Sequence, residues 1–201
     1  MAEFVFRQMA EQAGLAERFD VASAATTDEE IWNGYGNPVY PPVERLLRAH
    51  GMDPGDKRAV LLTAGDYAAY DYFIGMDDEN LRDMKRIFHG DPDRKCHLLM
   101  DYTANPRPVA DPWYTRDFQR TWDDVREGCQ GLLSGTAELP AGTARIEKAP
   151  EREVSGGFSD SMIPSLAARW PVDSTANLSD SGREAILAEG FGNGPVGCRR
   201  G

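Results

Sequence analysis

The sequence predicts an α/β protein built on an open parallel sheet, and three observations carry that prediction. Helix-like and strand-like stretches alternate over residues 1–135. Two apolar runs, Tyr72-Phe73-Ile74-Gly75-Met76 and Cys96-His97-Leu98-Leu99-Met100, are short and almost uninterrupted, as strands buried on both faces are. Residues 117–133 place Phe118, Trp122, Val125, Cys129 and Leu132 on one helical face.

Taken in order, residues 2–13 carry Val5, Phe6, Met9, Ala10 and Ala13 at helical spacing, and Gly14 closes the helix. Residues 19–24 alternate in the manner of a strand. Residues 32–42, Trp-Asn-Gly-Tyr-Gly-Asn-Pro-Val-Tyr-Pro-Pro, are punctuated by glycine and proline and predict a long irregular loop. A short helix over 43–50 ends at Gly51, a helical turn covers 66–70, and the strand 72–76 leads into a helix over 80–88. The strand 96–100 follows, then a loop at 111–114 and the helix 117–133. From Ser134 onward glycine, proline, alanine, serine and charged residues dominate, so residues 136–201 read as a tail of low order beside a domain of residues 1–135. Within that tail Ser179, Asp180 and Ser181 offer caps for a weak helix over 182–189.

The chain has 201 residues, with 22 basic against 33 acidic side chains and a net charge of −11. Phosphate backbones and anionic membranes select for clustered Lys and Arg, and the closing Arg199-Arg200 pair is the densest such group, so neither nucleic acid nor membrane is expected as partner. No apolar run nears the ~20 residues that span a bilayer. The residues after Met1 have no basic lead and no small-residue cleavage site. Three cysteines, Cys96, Cys129 and Cys198, stand at irregular positions and suit reduced thiols in a cytoplasm. His50, His89 and His97 show no metal-ligand spacing, so no metal or other cofactor is expected.

A set of short motifs resembles the low-molecular-weight protein tyrosine phosphatases of bacterial type. They are Met1-Ala2-Glu3-Phe4-Val5-Phe6, Ser23-Ala24-Ala25-Thr26, Gly36-Asn37-Pro38-Val39-Tyr40-Pro41-Pro42, Asp66-Tyr67, Met76-Asp77, and His97-Leu98-Leu99-Met100-Asp101-Tyr102. The most specific is Asp111-Pro112-Trp113-Tyr114. The resemblance implies a three-layer, Rossmann-like open sheet that hydrolyses phosphotyrosine in proteins, or small aryl phosphates, through a cysteinyl-phosphate. That chemistry needs a thiolate whose pKa is lowered by backbone N–H groups, an arginine that grips the phosphoryl oxygens, and an acid that protonates the leaving phenolate.

The resemblance makes Asp111 the general acid, although Asp-Pro also begins turns in any protein. It places Trp113 and Tyr114 beside that acid as walls for a flat ring, with core capping as the plain alternative. Tyr40 is read as the opposite rim or as surface packing. Ser23 and Asp77 resemble residues that support the phosphate-binding loop, and Asp77 is equally a cap for the following helix. Where the family often has His-x-Ala-Arg-Gln, this chain has Lys57-Arg58-Ala59-Val60-Leu61, and Trp32-Asn33-Gly34-Tyr35 lengthens the specificity loop.

In the family the loop Cys-x5-Arg-Ser-Pro lies between the first, central strand and the first helix, and Met1 is similar to the residue just after it. The expectation is therefore a sheet missing its first, central strand, with two open ladder edges, and a chain inactive as a phosphatase. Cys96 and Cys129 are expected to be inert core thiols. The closing Gly192-Asn193-Gly194-Pro195-Val196-Gly197-Cys198-Arg199 faintly resembles the absent loop, which suggests circular permutation. Gly190 at the nucleophile's place, a wrong spacing and the lack of a preceding apolar strand argue against it. Two other functions stay in view: a non-catalytic binding or regulatory relative, and an arsenate reductase on the same fold.

Overall fold

The computed structural model describes residues 1–137 and 183–188. In chain order its elements are α1 (Ala2–Gln12), β1 (Phe19–Ala24), β2 (Ile31–Trp32), β3 (Tyr35–Gly36), α2 (Pro41–Ala49), α3 (Asp66–Ala69), β4 (Tyr72–Gly75), α4 (Asp78–Ile87), β5 (Cys96–Leu98), α5 (Pro112–Thr115), α6 (Phe118–Ala137) and β6 (Arg183–Ala188). Four strands make one parallel sheet in the order β1-β6-β4-β5. The open parallel α/β sheet expected from the sequence is therefore present.

The centre of that sheet departs from expectation. Residues 183–188, read as a weak helix, form β6, which pairs along its length with β1 from Phe19↔Arg183 to Ala24↔Ala188 and with β4 from Tyr72↔Ala185 to Gly75↔Ala188. The position expected to be missing is occupied by a strand from the far end of the chain. A short apolar run such as Ala185-Ile186-Leu187-Ala188 suits helix or strand equally by pattern, and two ladder partners decide it. One ground against permutation, the lack of a preceding strand, is thereby removed. The rest of residues 138–201, including Cys198 and the proposed low-order tail, lies outside the described residues.

Side chains of β4 point alternately to two cores, which gives the three layers. Tyr72 and Ile74 join Val5, Phe6, Leu47, Trp122, Val125 and Cys129 on the face covered by α1, α2 and α6. Phe73 joins Leu62, Met84, Phe88 and Cys96 on the face covered by α4. Phe73 and Ile74 are fully buried, each contributing about 1.5–3 kcal/mol of hydrophobic stabilisation.

Local chemistry accounts for the other differences from the sequence reading. Pro41 starts α2 two residues early because proline is preorganised for the first helical position. The loop 32–42 contains a hairpin in which Asn33 and Gly34 both take positive φ, the turn that a two-residue Asn-Gly connection favours. The strand at Cys96 stops at Leu98, where the Asp101 carboxylate accepts the Leu98 N–H and opens a 3₁₀ turn over Leu99–Tyr102. Gly131 lets α6 lie against that turn, since a Cβ there would run into the Tyr102 carbonyl.

Candidate functional site

At the carboxyl edge of the sheet, Ala24, Ala188 and Gly75 end side by side. The chain after β1 forms one wall. A crevice of about 110 Å³ is lined by Met1, Phe4, Ser23, Ala25, Val39, Tyr40, Lys57 and Val60, among others. Asn37 holds this wall by donating to the Glu30 carboxylate at 2.8 Å, while the Arg58 guanidinium donates to the Gly36 carbonyl at 3.0 Å.

The opposite wall is the segment leading to α5. Val109 N–H donates to the Met76 carbonyl, tying this segment to the end of β4. The Asp111 carboxylate, half-buried, accepts the Trp113 N–H at 2.7 Å and caps α5, and the Asp111 carbonyl accepts from the Thr115 hydroxyl. The segment expected as a loop is thus a single helical turn begun by Asp-Pro. Tyr40 and Trp113 come together across the walls with ring centroids 6.4 Å apart, and Tyr40 also lies 6.1 Å from Phe118. Both rings keep substantial exposure, 50 % for Tyr40 and 42 % for Trp113. Tyr114 sits in α5 by its backbone, and its side chain lies outside the described residues.

Ser23 and Asp77 are each engaged. Ser23 Oγ donates to Glu3 Oε2 at 2.6 Å, and the Asp77 carboxylate accepts the Asn80 N–H at 2.8 Å as the cap of α4. Asn80 in turn accepts the Met76 N–H, so the turn after β4 is fixed from both sides.

Two carboxylates that sequence reasoning passed over hold the site together. Glu3, with a side chain only 3 % exposed, binds Lys57 Nζ at 2.8 Å, Arg7 at 3.1 Å and the Ser23 hydroxyl. A carboxylate this deep needs such partners, because desolvating an unpaired ion costs several kcal/mol. Lys57 is thus, with Arg7, one of the two cations of this cluster, at a position where the sequence had only suggested a departure from the family. Asp124 on α6, 8 % exposed, accepts the Ala110 N–H at 2.9 Å and Arg107 Nη2 at 2.6 Å, directly behind Asp111. The i,i+4 pair Glu3 and Arg7 was legible on a helix, whereas the partners at positions 23, 57, 107 and 110 are remote in sequence.

Neither described cysteine is poised to attack phosphorus. Burial, with the nearby Asp91 charge, pushes the Cys96 thiol up to about 12, the reverse of an activated thiolate. Cys129 is buried against the Ala2 carbonyl. His50 stacks on Trp122 at 4.0 Å, and His97 packs edge-on to Tyr102. Among the described residues no helix is long and apolar enough to cross a membrane.

Comparison with known proteins agrees on one family. The family model for low molecular weight phosphotyrosine protein phosphatase matches residues 1–148. The human low molecular weight phosphotyrosine protein phosphatase is 30% identical over 138 residues, covering 66% of this chain and 84% of the human one. The Bacillus subtilis low molecular weight protein-tyrosine-phosphatase YfkJ is 29% identical over 136 residues, covering 67% and 85%. The crystal structure of YfkJ superimposes with a TM-score of 0.63 at 27% identity over 68% of this chain and 85% of that one. A low molecular weight protein tyrosine phosphatase from Streptococcus pyogenes gives 0.56 at 32% identity, over 66% and 81%.

Proposed function

The chain belongs to the low molecular weight phosphotyrosine protein phosphatase family, and from that premise we propose that its site is shaped for phosphotyrosine and other aryl phosphate monoesters. The observation that carries this reading is the approach of Tyr40 and Trp113 beside the turn capped by Asp111. Two half-exposed aromatic faces offer a slot for a phenyl ring. Asp111 next to them is the acid that gives its proton to the departing phenolate, and the family resemblance assigns Tyr114 of the same motif to substrate binding. Ser23, through Glu3, and Asp77, through the turn after β4, hold the edges to which a phosphate would be delivered. Covalent chemistry of this class requires no metal or organic cofactor, and a reducing cytoplasm suits the buried thiols Cys96 and Cys129.

Among the described residues the nucleophilic half of the reaction has no source. No Cys-x5-Arg sequence occurs in the 201 residues, and Cys96 and Cys129 are buried. We therefore propose that this polypeptide does not turn over substrate by itself. The same observation favours, as second reading, a relative that binds aryl phosphates without hydrolysing them. Arsenate reduction is less well supported, because the two described thiols are buried in different cores.

The experiment has two arms. The 201-residue chain is assayed with p-nitrophenyl phosphate, where no phosphate release is expected and Asp111-dependent release would overturn the inactivity. A fusion that places an apolar strand and Cys-x5-Arg-Ser-Pro ahead of Met1 should hydrolyse aryl phosphates. There Asp111→Asn should lower kcat by about 10²–10⁴ for poor leaving groups. An unchanged kcat would remove Asp111 from the role of acid.

A further inference from the structure

We propose that the cleft between β1 and β4 is a strand-acceptor site whose occupant is the chain's own segment Arg183–Ala188, docked in parallel and held by backbone pairing on both sides. The two strands are not neighbours in the sheet. Parallel strands lie ~4.8 Å apart, so flanks one strand removed enclose a gap one extended chain wide. That gap is walled by buried residues, Val21 and Ala24 on β1 and all four residues of β4. Buried backbone N–H and C=O groups need partners, and on these edges β6 supplies them over the full register of β1.

Its place in the chain order sets this strand apart from the rest of the sheet. Every other strand of the sheet is followed or preceded within a few residues by a helix packed on the sheet. β6 follows the six described helices in the sequence, with residues 138–182 between it and Ala137. Its segment Ala185-Ile186-Leu187-Ala188 is apolar and extended, and recognition of this kind takes affinity from main-chain hydrogen bonds. Docking also matters for the site, because Ala188 ends beside Ala24 and Gly75, at the edge where the walls carrying Tyr40 and Asp111 begin.

The test uses the full chain with a protease site placed between residues 150 and 160, cut after folding. The carboxyl-terminal fragment should co-elute with the rest, and a fluorescent peptide spanning residues 180–190 should exchange into its place. The same peptide carrying Ile186→Pro, which cannot pair in a central strand, should bind at least about tenfold more weakly. Equal binding by the proline peptide overturns the proposal. So does release of the fragment at micromolar concentration with the Trp122 emission of the remainder unchanged. Should cutting unfold the protein, the uncut chain decides: amides 185–188 must be protected from hydrogen exchange at least about 100-fold, and unprotected amides refute the strand. A dimer in which isotope-labelled and unlabelled copies share strands refutes the assignment of the strand to its own chain.

Discussion

Replacing Asp124 by alanine should destabilise the protein by about 3 kcal/mol and loosen the segment that carries Asp111. Its carboxylate accepts two bonds, the Ala110 N–H at 2.9 Å and Arg107 Nη2 at 2.6 Å, and is 8 % exposed. Stranding the Ala110 donor costs about 1–3 kcal/mol. Losing the bond to Arg107 adds about 1 kcal/mol, at the low end for charge-assisted bonds because Arg107 is 30 % exposed and keeps Glu127 at 2.7 Å. The natural control is Glu127→Ala, which removes an acceptor that is 46 % exposed and should cost below about 1 kcal/mol. Urea unfolding followed by tryptophan emission measures both, and hydrogen exchange at Val109 and Ala110 reports the local loosening. Equal cost for the two substitutions would refute the claim that Asp124 anchors this segment.

Two further substitutions probe the packing behind the site. Gly131→Ala should destabilise by about 1–3 kcal/mol, although alanine normally gains about 1 kcal/mol over glycine inside a helix, because its Cβ meets the Tyr102 carbonyl; a rise in urea midpoint would contradict the close approach. Burial holds the His97 imidazole below its usual pKa against the opposing pull of Asp91. The unfolded chain therefore binds the extra proton first, so His97's contribution is intact above about pH 6.5 and is lost as pH falls through the lowered value. Stability measured from pH 7.5 to 5 should fall less steeply in His97→Gln, and an identical slope would show that His97 does not titrate with unfolding.

What the sequence revealed tracks how local the governing forces are. β4 and β5 were legible because Tyr72-Phe73-Ile74 and Cys96-His97-Leu98 are apolar runs bounded by polar turns. α6 was legible from its stripe of Phe118, Trp122, Val125 and Cys129. Only the fate of Arg183–Ala188 required knowledge of partners elsewhere, since serine and aspartate ahead of it cap helices and precede strands alike. The same distinction holds at the site. Asp111 and its aromatic neighbours stand in one contiguous motif, and the motif's own Asp-Pro chemistry builds the turn seen in α5. Glu3 and Asp124 reach partners such as Lys57 and Arg107, which no single window contains.

A sheet whose middle member is translated near the end has a history during synthesis. At about 5–20 residues per second, about five to twenty seconds separate the ribosome's passage over Gly75, the end of β4, from its passage over Arg183. Throughout that interval the nascent polypeptide displays two unzipped flanks, and chaperones or neighbouring nascent chains compete for them before β6 arrives.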